Sequence, residues 1–174
     1  MNYLIVAPTR VGNHLLTSII RSAHLKVIHT HDSNVVTDYK NTHLLLLNRR
    51  KQFLALMSQM IWNRTRHSSH YPADYELHPF EVVEKEFTEA YKFNTYHWQC
   101  TLQRKEPWFS TTTFYYEDFV NNPHHVFTTL NIQPKTPIIH SKKSPYKYQD
   151  VIVNVEQCKQ WYRQLKDYDY PIAA

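Results

Sequence analysis

Glycine is almost absent from this chain, with Gly12 the only one among 174 residues. A Walker A phosphate loop needs two glycines and a Lys-Ser or Lys-Thr pair, so the sequence excludes that loop. Only two cysteines occur, Cys100 and Cys158, and their spacing fits neither a disulfide framework nor a cysteine-rich metal site. Scarce cysteine favours a reduced, intracellular protein, and we expect a cytoplasmic location.

Long apolar runs are missing as well. Runs such as Leu44 to Leu47 have the length of a strand and fall far short of the roughly 20 residues of a membrane helix. The short apolar start runs directly into Pro8-Thr9-Arg10, which does not fit a signal peptide. We therefore expect a soluble protein that has no membrane partner.

The chain is otherwise rich in core-forming residues, with 42% apolar side chains and thirteen tyrosines. This composition is typical of a folded protein, and 174 residues suffice for a single domain over 1–174. The net charge of +5 favours anionic ligands. Nucleotides, nucleic acids and sulfated or phosphorylated substrates all remain open on charge alone.

Strand-like and helix-like segments alternate along the first half of the chain. This alternation predicts an α/β fold with three layers around a central, mostly parallel sheet. The polar segment 64–78 is predicted to be a surface loop or lid, and Asn154 is expected to cap the last helix at the amide of Gln157. Predicted strands cover 3–7, 25–30, 43–47 and 111–115, and predicted helices cover 12–23, 51–63, 79–103 and a segment from 154.

The lone glycine stands between the first predicted strand and the first predicted helix, within Thr9-Arg10-Val11-Gly12-Asn13-His14. A strand, a tight turn and a helix aim backbone N–H groups and a positive helix end at an anion. Glycine allows a positive φ and a close approach of the backbone to a ligand. An anion-binding loop and an ordinary strand-to-helix turn both fit this pattern.

Histidines follow the second predicted strand, in His29-Thr30-His31-Asp32. His29 and His31 lie on the same face if the strand persists, and Asp32 is placed to orient an imidazole. A histidine beside a carboxylate suits a general base, although surface histidines fit equally well in a chain with twelve of them. No third ligand stands at a zinc-site spacing, so no metal site is predicted.

Arginines follow the third predicted strand, in Asn48-Arg49-Arg50-Lys51. Ser58 stands eight residues beyond Arg50, about two turns into the next predicted helix. A bidentate guanidinium together with a hydroxyl suits a phosphate dianion. A solvated charge at a helix start is the alternative interpretation of Arg50.

Taken in order, these three segments resemble the sulfotransferases that use 3′-phosphoadenosine-5′-phosphosulfate (PAPS). The segment Phe114-Tyr-Tyr-Glu-Asp-Phe119, continuing to Ile132, is similar to that family's late Tyr-Glu-Asp-Leu…Pro…Leu segment. The resemblance covers residues 3–132 and implies a P-loop-like sulfotransferase fold. It also implies transfer of a sulfuryl group from PAPS to the hydroxyl or amine of a small-molecule or carbohydrate acceptor.

The resemblance assigns the phosphosulfate to the first loop. Arg10 matches the Lys or Arg that contacts the 5′-phosphosulfate and acts in catalysis. The loop backbone around that phosphate corresponds to Val11, Gly12, Asn13 and His14.

The remaining roles fall after the second and third predicted strands. His31 matches the catalytic base, and His29, a further expected catalytic residue, stands where many cytosolic members have a lysine. Arg50 and Ser58 match the pair that holds the 3′-phosphate, the group that distinguishes PAPS from ATP.

The sequence also departs from the family pattern. Asn13-His14 replaces the usual Ser/Thr after the glycine, and Lys51-Gln52 replaces an Asp-Pro. The late Arg-Lys-Gly loop is absent, and the basic segment 141–148 is a candidate substitute. Three alternatives therefore remain. They are a P-loop-type, kinase-like protein that uses ATP and Mg²⁺, a non-catalytic nucleotide- or nucleic-acid-binding module, and a sulfotransferase fold without catalysis. Nucleic acid ranks lower because the positive charge is scattered along the chain.

Overall fold

A computed structural model describes residues 2–30, 38–65, 76–103, 106–139 and 146–167. The chain divides into two compact units, one formed by Met1–Arg50 with His97–His140 and the other by Lys51–Tyr96 with Ser141–Ala174. Each unit has a hydrophobic cluster of its own. Within the described ranges, no helix is long and apolar enough to cross a membrane.

Strands and helices alternate much as the sequence predicts. The strands are β1 (Asn2–Val6), β2 (Lys26–Thr30), β3 (Thr42–Asn48) and β4 (Ser110–Tyr115). The helices are α1 (Asn13–Ser22), α2 (Gln52–Thr65), α3 (Glu84–Leu102), α4 (Tyr116–Phe119), α5 (His124–Leu130), α6 (Tyr148–Val151) and α7 (Val155–Asp167). A short 3₁₀ turn, Tyr39–Asn41, precedes β3.

The first unit is built on a four-stranded sheet with the order β2-β1-β3-β4, in which every pairing is parallel. The leucines of β3 are buried from Leu44 to Leu47, as expected for a strand covered on both faces. The predicted α/β class with a parallel sheet is therefore confirmed.

Different elements cover the two faces of this sheet. One face gathers buried side chains of β1 and β3 against two tryptophans: Leu4, Val6, Leu44 and Leu46 with Trp98 of α3 and Trp108. On the other face, His29 of β2 meets His14 of α1, and Phe114 of β4 meets His125 of α5. Helical side chains therefore lie on both sides of the sheet.

The second unit has a core made of helical side chains. Leu56 and Met57 of α2, Phe87 of α3 and Trp161 of α7 belong to one buried cluster. Cys158 of α7 is fully buried there, and burial raises the pKa of its thiol to about 11.

The helix predicted at 79–103 begins only at Glu84, so the prediction is wrong for its first five residues. Phe80 instead forms a parallel bridge to Ile152. The N–H of Phe80 donates to the Val151 carbonyl at 2.8 Å, and the N–H of Val153 donates to the Phe80 carbonyl at 3.0 Å. These long-range hydrogen bonds satisfy the backbone in an extended conformation, which removes the advantage of a helical turn.

Asn154 binds Val82, in place of the predicted cap at the amide of Gln157. Its Oδ1 accepts the Val82 N–H at 2.9 Å, and its Nδ2 donates to the Val82 carbonyl, also at 2.9 Å. Val82 is buried, so water cannot replace these bonds without a rearrangement.

We expect Asn154→Ala to lower the free energy of unfolding by about 2 kcal/mol, because two buried backbone groups lose their partners. Urea denaturation of this variant measures the loss. Gln160→Ala, at an exposed position of α7, is the matched control and should stay within about 0.5 kcal/mol of the parent. Equal losses for the two variants would contradict the role of Asn154 in holding Val82.

Candidate functional site

The carboxyl ends of all four strands of the first unit lie at one edge of the sheet. They are Val6, Thr30, Asn48 and Tyr115, which end β1, β2, β3 and β4. The chain passes from β1 to β2 on one side and then to β3 on the other. In open parallel sheets, the strand ends at such a reversal form the usual ligand crevice. The loop 7–12 and the pair Arg49-Arg50 leave the sheet at this reversal.

Gly12 is the N-cap of α1 and adopts a left-handed conformation, with φ of 101°. It supplies no side-chain oxygen, and no acidic residue occupies the first turn of the helix. The positive end of α1 is therefore not neutralised by side chains of its own cap or first turn. This arrangement suits an anion, which is one of the two interpretations of the loop that the sequence leaves open.

Arg10 has a φ of 60° in the same loop. His24 and Asn131 share this positive φ, but each lies at the carboxyl end of a helix, where such a conformation is common. Arg10 follows a strand, so no helix end accounts for its conformation. A left-handed conformation costs about 1–2 kcal/mol for a residue with a Cβ, and such strain often accompanies ligand-binding loops.

Tyr116 packs directly on Gly12. A Cβ added to Gly12 would lie 2.3 Å from Cδ2 and 2.9 Å from Cε2 of the Tyr116 ring. Two features therefore require glycine at this position: the positive φ of the backbone, and the Tyr116 ring that leaves no space for a Cβ. Burial is the main cause that raises the pKa of the Tyr116 hydroxyl, which stays protonated at neutral pH.

Arg49 lies on the ring of Tyr116. Its guanidinium carbon is 4.8 Å from the ring centroid, and its Nε is 3.6 Å from Oε1 of Glu117. Gly12, Tyr116 and Arg49 therefore form a continuous stack that links the loop after β1 to the segment after β3.

Arg50 contacts the same segment of chain. Its Nη1 and Nη2 donate to the two carboxylate oxygens of Asp118, the second at 2.9 Å. Its guanidinium carbon lies 4.3 Å from the ring centroid of Tyr115, and its N–H donates to Glu117 Oε2 at 3.0 Å. The hydrogen bond from Arg50 lowers the pKa of the Asp118 carboxyl, and the same bond raises the pKa of Arg50.

A pair of histidines lies near the end of β2. The rings of His14 and His29 are 5.1 Å apart between centroids and meet edge to face. His31, the expected base, and Asp32 lie outside the described residues. Their side-chain roles stay predictions.

Two buried polar atoms on α1 have no hydrogen-bond partner among the described residues. They are Oδ1 of Asn13 and Oγ1 of Thr17, one helical turn apart. Asn13 is only 6% exposed and is the first residue of the helix. Buried polar atoms are rarely left unsatisfied, so this position favours a bound water or a ligand group.

The structure brings most of the predicted site residues to one region of the first unit. The loop residues Arg10, Gly12 and His14 lie at the carboxyl edge of the sheet with His29 and Arg50.

Two of the predicted positions are less favourable for direct contact with a ligand. Val11 is 2% exposed, so its side chain is not available to a ligand. Ser58 lies half-buried in α2, which belongs to the second unit, and its pairing with Arg50 stays a prediction.

Arg49 and the segment Tyr115–Asp118 were not among the predicted site residues. The available signal was charge complementarity, since two arginines follow one strand and two carboxylates follow another. Using that signal requires the strand order, which places β3 beside β4.

No protein-family model matches the chain, and a search of curated proteins finds no match.

We expect Gly12→Ala to lower the free energy of unfolding by more than about 2 kcal/mol, because it adds both backbone strain and a clash with Tyr116. The loss is measured by urea denaturation, in the parent and in a Tyr116→Ala background. Without the ring, the cost of the alanine should fall toward the about 1–2 kcal/mol of φ strain alone. An identical cost in both backgrounds would contradict the packing of Tyr116 on Gly12.

Proposed function

We propose that this chain is a sulfotransferase that moves the sulfuryl group of PAPS to an acceptor hydroxyl or amine. The observation that supports this proposal best is the carboxyl edge of the sheet. That edge gathers the loop 7–12, the N-terminus of α1, His29 and the pair Arg49-Arg50 in one unit. Among them, Arg10, residues 11–14 and Arg50 are positions that the resemblance assigns to the donor.

The loop 7–12 is the proposed site of the 5′-phosphosulfate. Backbone N–H groups at the start of α1 are uncharged donors, so they bind an anion without burying a charged side chain beside it. Arg10 supplies the positive charge for the transferring group and for the leaving phosphate. Because these donors are fixed before the reaction, they stabilise charge as it develops.

Arg50 is the proposed contact of the 3′-phosphate. Its side chain is 52% exposed, so a ligand at the edge of the sheet can reach it. A guanidinium binds phosphate through two parallel N–H donors, which gives both affinity and orientation.

His31 is the proposed general base. It directly follows Thr30, which ends β2 beside Val6, the last residue of β1. The imidazole takes the proton of the acceptor as the new bond to sulfur forms. PAPS supplies the activated sulfuryl group, whose bond to the bridging phosphate oxygen breaks. Arg10 and the loop amides then hold the negative charge of the departing 3′,5′-adenosine bisphosphate.

We expect 3′,5′-adenosine bisphosphate to bind more tightly than ADP or ATP with Mg²⁺ in calorimetric titrations. Arg50→Ala should lower the affinity for the bisphosphate by about 10- to 100-fold and leave the affinity for ADP nearly unchanged, because only the bisphosphate has a 3′-phosphate. Arg21→Ala is the matched control, since Arg21 is an exposed arginine in the last turn of α1.

Equal losses of affinity for both nucleotides in Arg50→Ala would show that Arg50 does not bind the 3′-phosphate. A preference for ATP with Mg²⁺ would favour the kinase-like alternative. Binding of none of the three would contradict the proposal as a whole.

A further inference from the structure

One short segment, Tyr115–Asp118, surrounds Arg50. The carboxylate of Asp118 occupies Nη1 and Nη2 together, which form one of the parallel pairs of donors that a phosphate would use. The ring of Tyr115 covers one face of the guanidinium, and Glu117 binds its backbone N–H. Arg50 is therefore already bound to an anion that belongs to the chain itself.

The charges of the two arginines after β3 and the two carboxylates of α4 cancel. Arg49 is near Glu117, and Arg50 is bound to Asp118, so two guanidinium groups face two carboxylates. A phosphate that arrives at Arg50 meets no net positive charge from these four groups. It also meets the repulsion of the Asp118 carboxylate at close range.

The ion pair between Arg50 and Asp118 is nonetheless easy to break. Arg50 is 52% exposed and Asp118 is 30% exposed, and solvent screening keeps exposed ion pairs weak. Phe119, the next residue, is fully buried and packs against Phe114. The side chain of Asp118 can therefore turn away from Arg50 while Phe119 keeps α4 anchored in the core.

We propose that Asp118 is an internal counter-ion of Arg50, which a phosphate-bearing ligand displaces when it binds. Asp118 thereby sets the affinity of the site for the 3′-phosphate and limits the binding of product after transfer. This inference rests on the proposed function, because that function gives Arg50 its ligand.

The test is Asp118→Asn, which keeps the shape of the side chain and removes its charge. We expect the variant to bind 3′,5′-adenosine bisphosphate about three- to tenfold more tightly than the parent at low salt. The gain should shrink at high salt, where charges are screened. Inorganic pyrophosphate is a second probe, because it presents phosphate to Arg50 without a nucleoside and should show the same direction of change.

Asp38→Asn is the matched control, because Asp38 is in the same unit but precedes β3 at the opposite edge of the sheet. It makes the same change in net charge and should leave both affinities unchanged. Thermal unfolding of Asp118→Asn checks that the variant is folded. Arg50→Ala combined with Asp118→Asn should abolish the gain, since the released guanidinium is then missing.

The outcomes separate the inference from the proposed function. Binding that depends on Arg50 but is unchanged or weaker in Asp118→Asn overturns the inference and leaves the proposed function intact. Weaker binding would mean that Asp118 orients Arg50 for its ligand. If neither the parent nor Asp118→Asn binds the bisphosphate or pyrophosphate, both the inference and the proposed function fail.

Discussion

The packing of Tyr116 against Gly12 connects the parts of the candidate site. The ring leaves no room for a Cβ at Gly12, and Arg49 lies on the same ring, 4.8 Å from its centroid. The loop after β1, the arginines after β3 and the helix after β4 therefore depend on one another. A change of shape in the loop alters the surface on which Arg49 rests.

Electrostatic balance is the second constraint at this edge of the sheet. Each arginine after β3 has its own carboxylate in α4, so the cations are stabilised in the absence of a ligand. The N-terminus of α1 has no such neutralising residue in its cap or first turn. On the proposed function, the loop therefore offers uncompensated positive charge to a ligand, whereas Arg50 exchanges Asp118 for the ligand. This division suits a donor with two separated phosphate groups.

The repeating pattern of apolar residues was enough to predict the parallel sheet and most helices, because these elements bury local, periodic stretches. The start of α3 was not predictable in this way, since Phe80 and Val82 are held by residues about 70 positions later, at 151–154. Gly12 was recognisable as special, but its ring partner Tyr116 depends on the order of the strands. The contacts of Arg50 with Asp118 were hidden for the same reason, because they join residues far apart in sequence.

Sulfuryl transfer is measured most directly as the release of 3′,5′-adenosine bisphosphate from PAPS in the presence of phenol and sugar acceptors. We expect release that is matched by sulfated acceptor, and a rate about 10²- to 10⁴-fold lower in His31→Ala with nearly unchanged nucleotide affinity. No release with any acceptor, or consumption of ATP with Mg²⁺ instead, would contradict the proposed function. An unchanged rate in His31→Ala would remove His31 as the base.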